Sequence, residues 1–423
     1  MSELEVESVT PSQPVSAAER IVALDFIRGI AVLGILFPNI VAYGHPMLAY
    51  YWPEGLPGGS TAFDRYVWLI QFVLIDGKLR GVFTLLFGAG LILFLDRVEA
   101  RGGGPELQIR RLAWLGVFGL AHTFLVWTGD ILLLYAVAGF GALLMTGWDG
   151  RTQFRIGVAW FLAGALIFSA AIGTAVTAEG FPGIPDPTPI SHEQAQQGAA
   201  SFVKDANEEI EVTQAGSWPK LVAWRLTEEG PELPFELVFF ALVETIPLML
   251  VGMALYRLGL FDGRLDQARM RRWGWIGFIG GAVLTLPIGL WVMWAGFPVL
   301  LTQFAFNGLS AFLHLPMVLG LTALLSLWSR TAARGWLGDR VVAAGRMAFS
   351  NYLGGSMLMM LVFQGWAGGL FGQLHRIGML PLVLLAWVLM LAWSKPWLAH
   401  FRYGPLEWLW RCLTYWKLMP IRK

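Results

Sequence analysis

The chain has little charge and almost no cysteine. Asp, Glu, Lys and Arg make up 14% of its 423 residues against 56% hydrophobic, and the mean hydropathy is +0.59. So few charges cannot clothe a water-soluble domain of this size. A net charge of +1 leaves no electrostatic footprint for nucleic acid. The single cysteine, Cys412, excludes an intrachain disulfide and a thiolate metal site. The signatures of soluble enzymes are missing: there is no Gly-Lys-Ser/Thr phosphate loop, no His-Glu-x-x-His, no Cys-x-x-Cys and no Gly-x-Ser-x-Gly elbow. No metal ligand set is expected. The period-two alternation of a porin-like barrel is also missing. Residues 1–20 are acidic at Glu3, Glu5 and Glu7, lack the apolar core of a signal peptide, and read as a disordered tail.

What the chain has is long apolar runs, 21 Trp and 50 Gly, the composition of helices packed in lipid with aromatic rings at the interfaces. The expected fold is all-α, a polytopic transmembrane bundle of about ten spans. The spans read as Ile21–Tyr43, Val82–Leu95, two arms of a hairpin within Arg110–Met145, Phe154–Ala178, Pro234–Tyr256, Trp273–Trp294, Gln303–Trp328, Arg346–Gln364 and Met379–Leu398. Phe63–Ile75 is too short to cross and reads as an interfacial or re-entrant helix. The chain divides into an N-terminal transmembrane half (21–178), a polar loop (179–233) and a C-terminal transmembrane half with its terminal segment (234–423). If the spans alternate, the arginines of the 97–111, 257–272 and 330–346 loops and of the C-terminal segment share one side. That side is cytoplasmic by the positive-inside rule, and the 179–233 loop is extracytoplasmic. The spacing of Gly277 and Gly281 suits close helix packing rather than chemistry.

Ionisable groups inside membrane helices are costly and usually face a bundle interior or a wet cavity. Polar and ionisable residues fall at three depths here. Near the outer face lie His45, Lys78, Arg80, His122 and Asp130, with Asn39 slightly deeper. Near mid-membrane lie Glu244 and His314, each followed by a proline, Pro247 and Pro316, that frees backbone carbonyls. Near the inner face lie Asp25, Arg28, Ser350, Asn351, Tyr352, Arg402 and Glu407. Asp130 opens the second arm of the hairpin and reads either as a helix cap or as the carboxylate that orients His122. Asp25 and Arg28 share a helix face, as a surface ion pair or as the charged wall of a cavity. Glu244 and His314 read either as partners of each other or of the backbone, or as a functional pair.

Several stretches together resemble the YeiB family of bacterial inner-membrane proteins. They are R-x-x-A-LDFIRGIAVLGILFPN at Arg20–Asn39, GKLRGVFTLLFGAG at Gly77–Gly90, RRLAWLGVFGLAH at Arg110–His122 and GDILLLYAVAG at Gly129–Gly139. GRMAFSNYL at Gly345–Leu353 and FRYGPLEWLWRCLTY at Phe401–Tyr415 complete the set and are similar to the domain of unknown function that ends family members. The LDxxRG helix is also similar to that of a wider group of transmembrane acyltransferases. The YeiB resemblance implies a bacterial inner-membrane location; the wider one implies an acyl-CoA entering from the cytoplasm, with no tightly bound cofactor expected, and a histidine near the far face.

Two functions follow, beside the reading of an accessory or structural membrane protein. As an acyltransferase, the protein would use His122 or His45 as general base, with Asp130 orienting His122. Lys78, Arg80, Asn39, Glu244 and His314 would contact a small-molecule, glycan or lipid acceptor, and Arg28 and Arg402 would hold donor phosphates beside Asp25, Asn351, Tyr352 and Glu407. As a transporter or lipid-handling protein, it would use Glu244 and His314 as a proton relay. Membrane lipids surround it in either case, and a homodimer is compatible with both.

Overall fold

The computed structural model describes residues 21–178 and 192–423, so the expected tail at 1–20 and the Pro-rich start of the polar loop lie outside the described residues. The helices are α1 (Val22–Gly44), α2 (Leu48–Tyr51), α3 (Ala62–Leu74), α4 (Lys78–Glu99), α5 (Glu106–Leu125), α6 (Leu132–Leu143), α7 (Gly150–Ala178), α8 (His192–Gln214) and α9 (Trp218–Trp224). They continue as α10 (Leu233–Phe240), α11 (Ile246–Arg257), α12 (Gln267–Trp294), α13 (Val299–Gln303), α14 (Ser310–Ala332), α15 (Trp336–Arg346), α16 (Ala348–Phe363), α17 (Arg376–His400) and α18 (Pro405–Tyr415). Outside helices, the described residues form only the isolated bridge Phe401–Arg422. The expected all-α bundle is what forms.

Among the described residues, seven segments are long and apolar enough to cross a membrane: α1, α3 continuing into α4, α7, α10–α11, α12, α13–α14 and α17. The shorter apolar helices α6 and α16, and the more charged α5, run beside them, consistent with the expected bundle of about ten spans. α3 does not add a crossing. The Thr61–Asp64 capping box starts it, and Asp64 also accepts from Arg376 N, 2.8 Å away at the head of α17. Its other end packs on Gly289, near the C-terminal end of α12. Both ends of α3 therefore sit on one end of the bundle, as its 13 residues suggested. The reversal into α4 is made at Gly77, where φ is +73° and a Cβ would strike the His314 ring.

In lipid, helices associate through close packing and polar contacts rather than hydrophobic transfer. α12 and α14 pack extensively on each other; Gly277 lies against the Pro316 carbonyl and Gly281 against Met317, the packing role that their spacing suggested. α1 and α15 meet at Gly345, where a Cβ would fall on the Asp25 carbonyl, and this brings Arg346 beside the start of α1. Two runs within the spans are wound wide, with i→i+5 hydrogen bonding: Ala241–Thr245, which contains Glu244, and Phe304–Leu309, which precedes His314. Such widened turns often accompany functional side chains. At the end of the bundle where α17 begins, α8 and α9 form a cap that hydrogen-bonds to the loops below it.

Candidate active site

The hairpin of α5 and α6 folds His122 and Asp130 together. Val126 N and Trp127 N both bond to His122 O, which ends α5 and turns the chain. Asp130 then does two things at once. Its Oδ2 accepts from Leu133 N at 2.7 Å and caps α6, while its Oδ1 lies 2.8 Å from His122 Nδ1. Both side chains are 1% exposed. With the carboxylate accepting from Nδ1–H, the lone pair of the neutral imidazole is on Nε2, which is buried and has no partner among the described residues. Trp127 braces the turn from outside: its indole donates to Ala42 O at 3.0 Å and its ring lies 4.0 Å from Tyr43.

A cavity of about 280 Å³ rises toward this dyad from the other end of the bundle. Six arginines line its mouth: Arg28, Arg97, Arg111, Arg346, Arg402 and Arg411. They come from well-separated parts of the chain, and aromatic stacking holds two of them. The Arg111 guanidinium lies 4.5 Å from the Trp410 ring and 4.8 Å from Phe94; Arg411 lies 4.7 Å from Tyr403. Stacked guanidinium groups present fixed planar donors suited to phosphate oxygens. Deeper in, the walls turn apolar through Phe83, Phe87, Leu91 and Leu115, and the far end is formed by Ile131, Leu132, Tyr135 and Tyr352. His122 stands one ring behind that wall: its imidazole is 5.4 Å from the ring of Tyr352, whose hydroxyl accepts from Ile131 N at 3.3 Å. Arg111 and His122 lie on the same helix, about 16 Å apart along its axis.

The expected donor contacts divide. Asp25, Arg28, Tyr352, Arg402 and Glu407 all line the cavity. Asp25 holds Arg28 at 3.0 Å. The Glu407 carboxylate is occupied as the cap of α16, accepting from Phe349 N, Ser350 N and Ser350 Oγ, and burial pushes its pKa above the usual carboxylate range. Asn351 lies elsewhere: its amide bonds to Ala344 O, Ser394 Oγ and Trp393 Nε1, tying α16 to α15 and α17.

The expected acceptor contacts form a second polar layer. Arg80 reaches both Glu244 oxygens, at 2.8 and 2.9 Å, across 164 residues of sequence, so the partner of Glu244 is Arg80. His314 packs on Gly77 with its Nε2 buried and unpartnered among the described residues. Lys78 is fully buried and donates to Phe72 O at 2.6 Å, beside Asp76, which takes bonds from Tyr50 and Gln71. Arg376, which sequence reading did not single out, completes this layer by bonding Gln71, Ala49 O and Tyr50 O. Asn39 is half-buried on α1. Tyr135 joins the two layers: it lines the cavity, and its hydroxyl lies 2.7 Å from Thr84 Oγ1 and 3.4 Å from Arg80 O.

His45 is in a different setting. Its Nε2 lies 2.6 Å from Leu374 O, and burial pushes its pKa down to about 4, so the ring is neutral with Nδ1 sealed. The cap reaches the hairpin instead, with Trp218 Nε1 donating to Leu125 O at 2.9 Å and Arg225 to Phe124 O at 3.3 Å. Behind those contacts Glu209 accepts from Met47 N at 2.9 Å. Burial, more than the charge of nearby groups, pushes Glu209 up to about 7 and Glu229 up to about 8.

A family described as "Protein of unknown function (DUF418)" matches residues 255–417. The chain is 30% identical to "Uncharacterized protein YeiB" of Escherichia coli (strain K12), over 94% of this chain and 96% of that protein. It is 28% identical to "Uncharacterized protein YxaH" of Bacillus subtilis (strain 168), over 97% of this chain and 98% of that one. No solved structure matches. Similarity from end to end identifies this multi-pass membrane protein as a member of the YeiB family.

Proposed function

We propose that the protein is a transmembrane acyltransferase of the bacterial inner membrane. The arginine-lined mouth opens to the cytoplasm and takes an acyl-CoA-type donor, the six guanidinium groups meeting its phosphates. The apolar shaft takes the pantetheine arm, and the thioester comes to rest against Tyr352 and Ile131. The acceptor, a small molecule, glycan or lipid, approaches from the capped, extracytoplasmic end. His122 Nε2 removes the proton of its nucleophile, which attacks the thioester carbonyl. The C–S bond then breaks, and the leaving thiolate takes the proton back from His122. Asp130 holds the tautomer and stabilises the transient imidazolium. Arg80, pinned by Glu244, lies beyond Tyr135 and contacts the acceptor.

One observation carries this reading. A histidine–carboxylate pair, buried and with its second nitrogen unpaired among the described residues, stands behind the deep wall of a cavity whose mouth is ringed by arginine. A base poised beside a polyanion channel suits transfer from a phosphorylated carrier better than passive conduction. The test is donor binding by the purified protein: CoA should bind to the wild type and at least ~10-fold more weakly to Arg28→Ala, as expected for loss of a charge-assisted contact of ~1.5–3 kcal/mol. Equal binding to both would remove the donor site from this mouth.

A further inference from the structure

The cavity has a stop. Tyr135 is 1% exposed and is held on several sides: its ring lies 5.9 Å from that of Phe83 and 5.1 Å from that of Phe87, and its hydroxyl bonds to Thr84. Directly beyond it stands the Arg80–Glu244 ion pair. The other half of the far wall is Tyr352, fixed by Ile131 N, and beyond that stands the His122–Asp130 pair. An alkyl chain that passed either tyrosine would lie against charged groups and strip them of their partners, a cost that burying methylenes does not offset. The end of the cavity is thus closed by Tyr135 and Tyr352, and the reach left for the acyl group is set by that wall.

We propose that this site accepts only short acyl groups, acetyl to butanoyl, and that the Tyr135 side chain, backed by the Arg80–Glu244 pair, sets the limit. This rests on the acyltransferase reading and deepens it. Tyr135 acts here as a specificity-determining residue: it shapes the end of the donor site and takes no part in proton transfer.

The experiment is a binding series on the full-length protein in detergent, by isothermal titration and native mass spectrometry. The probes are CoA, acetyl-CoA, butanoyl-CoA and octanoyl-CoA, all soluble at working concentrations. The wild type should bind the first three alike and octanoyl-CoA at least ~10-fold more weakly, since a closed pocket rejects surplus methylenes by at least that factor. Tyr135→Ala should bring octanoyl-CoA to within about threefold of acetyl-CoA, well inside the ~10-fold that a closed end imposes. Leu132→Ala, on the same wall, serves if the tyrosine variant does not fold. Octanoyl-CoA bound by the wild type as tightly as acetyl-CoA would overturn the length limit while leaving the donor site standing. Discrimination that survives both variants would take the role from Tyr135. Failure of every CoA compound to bind a cooperatively melting protein would overturn the donor reading, and the length limit with it.

Discussion

Asp130→Asn separates the two jobs of the carboxylate. Asn is as good an N-cap as Asp, so the bond from Leu133 N survives and α6 keeps its start. What is lost is the charged acceptor 2.8 Å from His122 Nδ1. A hydrogen bond to a charged group contributes ~1.5–3 kcal/mol. The amide that Asp130→Asn introduces can also donate to Nδ1, which would move the ring proton to Nε2 and leave no lone pair for the acceptor. If His122 is the base, transfer from acetyl-CoA should fall by ~10²–10⁴, the usual weight of positioned proton transfer. Asp130→Ala should fall as far and also lose the cap, ~1 kcal/mol, and leave a buried imidazole nitrogen unsatisfied, a further ~1–3 kcal/mol. Initial rates and thermal midpoints of the two variants therefore separate: Asp130→Asn melts well above Asp130→Ala, with both inactive. An Asp130→Asn protein within about threefold of wild-type rate, far short of the ~10² expected, would show that Asp130 is a cap and nothing more.

Other outcomes follow from the same geometry. Cysteines placed at Ser201 and at Lys417, in a Cys412→Ser background, should react oppositely with an impermeant thiol reagent on intact cells, 201 labelled and 417 not; the reverse pattern would invert the orientation. Arg402→Ala should weaken CoA binding as Arg28→Ala does, whereas Arg269→Ala, away from the mouth, should not; equal loss from all three would mean a diffuse electrostatic surface. The cap should loosen with rising pH. Glu209 and Glu229, raised by burial to about 7 and about 8, hold protons that an undocked carboxylate of ordinary pKa has already released. Docking is therefore favoured most below about pH 4.5 and weakens as pH rises through 7 to 8. Hydrogen exchange in residues 192–229, corrected for intrinsic rates, should increase between about pH 6 and about pH 8.5, and a Glu209→Gln, Glu229→Gln double variant should lose that increase.

The bundle was legible because span length and apolar runs report directly on lipid. The 13 residues of α3 announced a helix that could not cross, and the tight turn at Trp127–Asp130 announced that His122 and Asp130 could meet. The arginine mouth was legible only in part. Arg97, Arg111, Arg346 and Arg411 read as topology markers, since nothing in sequence says that loops so far apart converge. Arg80 and Glu244 were each conspicuous, but their pairing is a property of how α4 packs against the chain around α11. Tyr135 and Arg376 gave no signal: one is an aromatic among aromatics, the other a basic residue at a helix start. Asn351 gave a signal that the packing of α15 to α17 absorbs.

The most direct measurement uses inside-out inner-membrane vesicles containing the wild-type or His122→Gln protein. Labelled acetyl-CoA is added outside, at the cytoplasmic face, and the luminal contents and lipid extract are analysed for covalently bound label. Catalysis by His122 predicts stable acetyl label in a luminal or lipid acceptor with the wild type, and none above background with the Gln variant. No covalent label with the wild type, or equal label with both proteins, would contradict it.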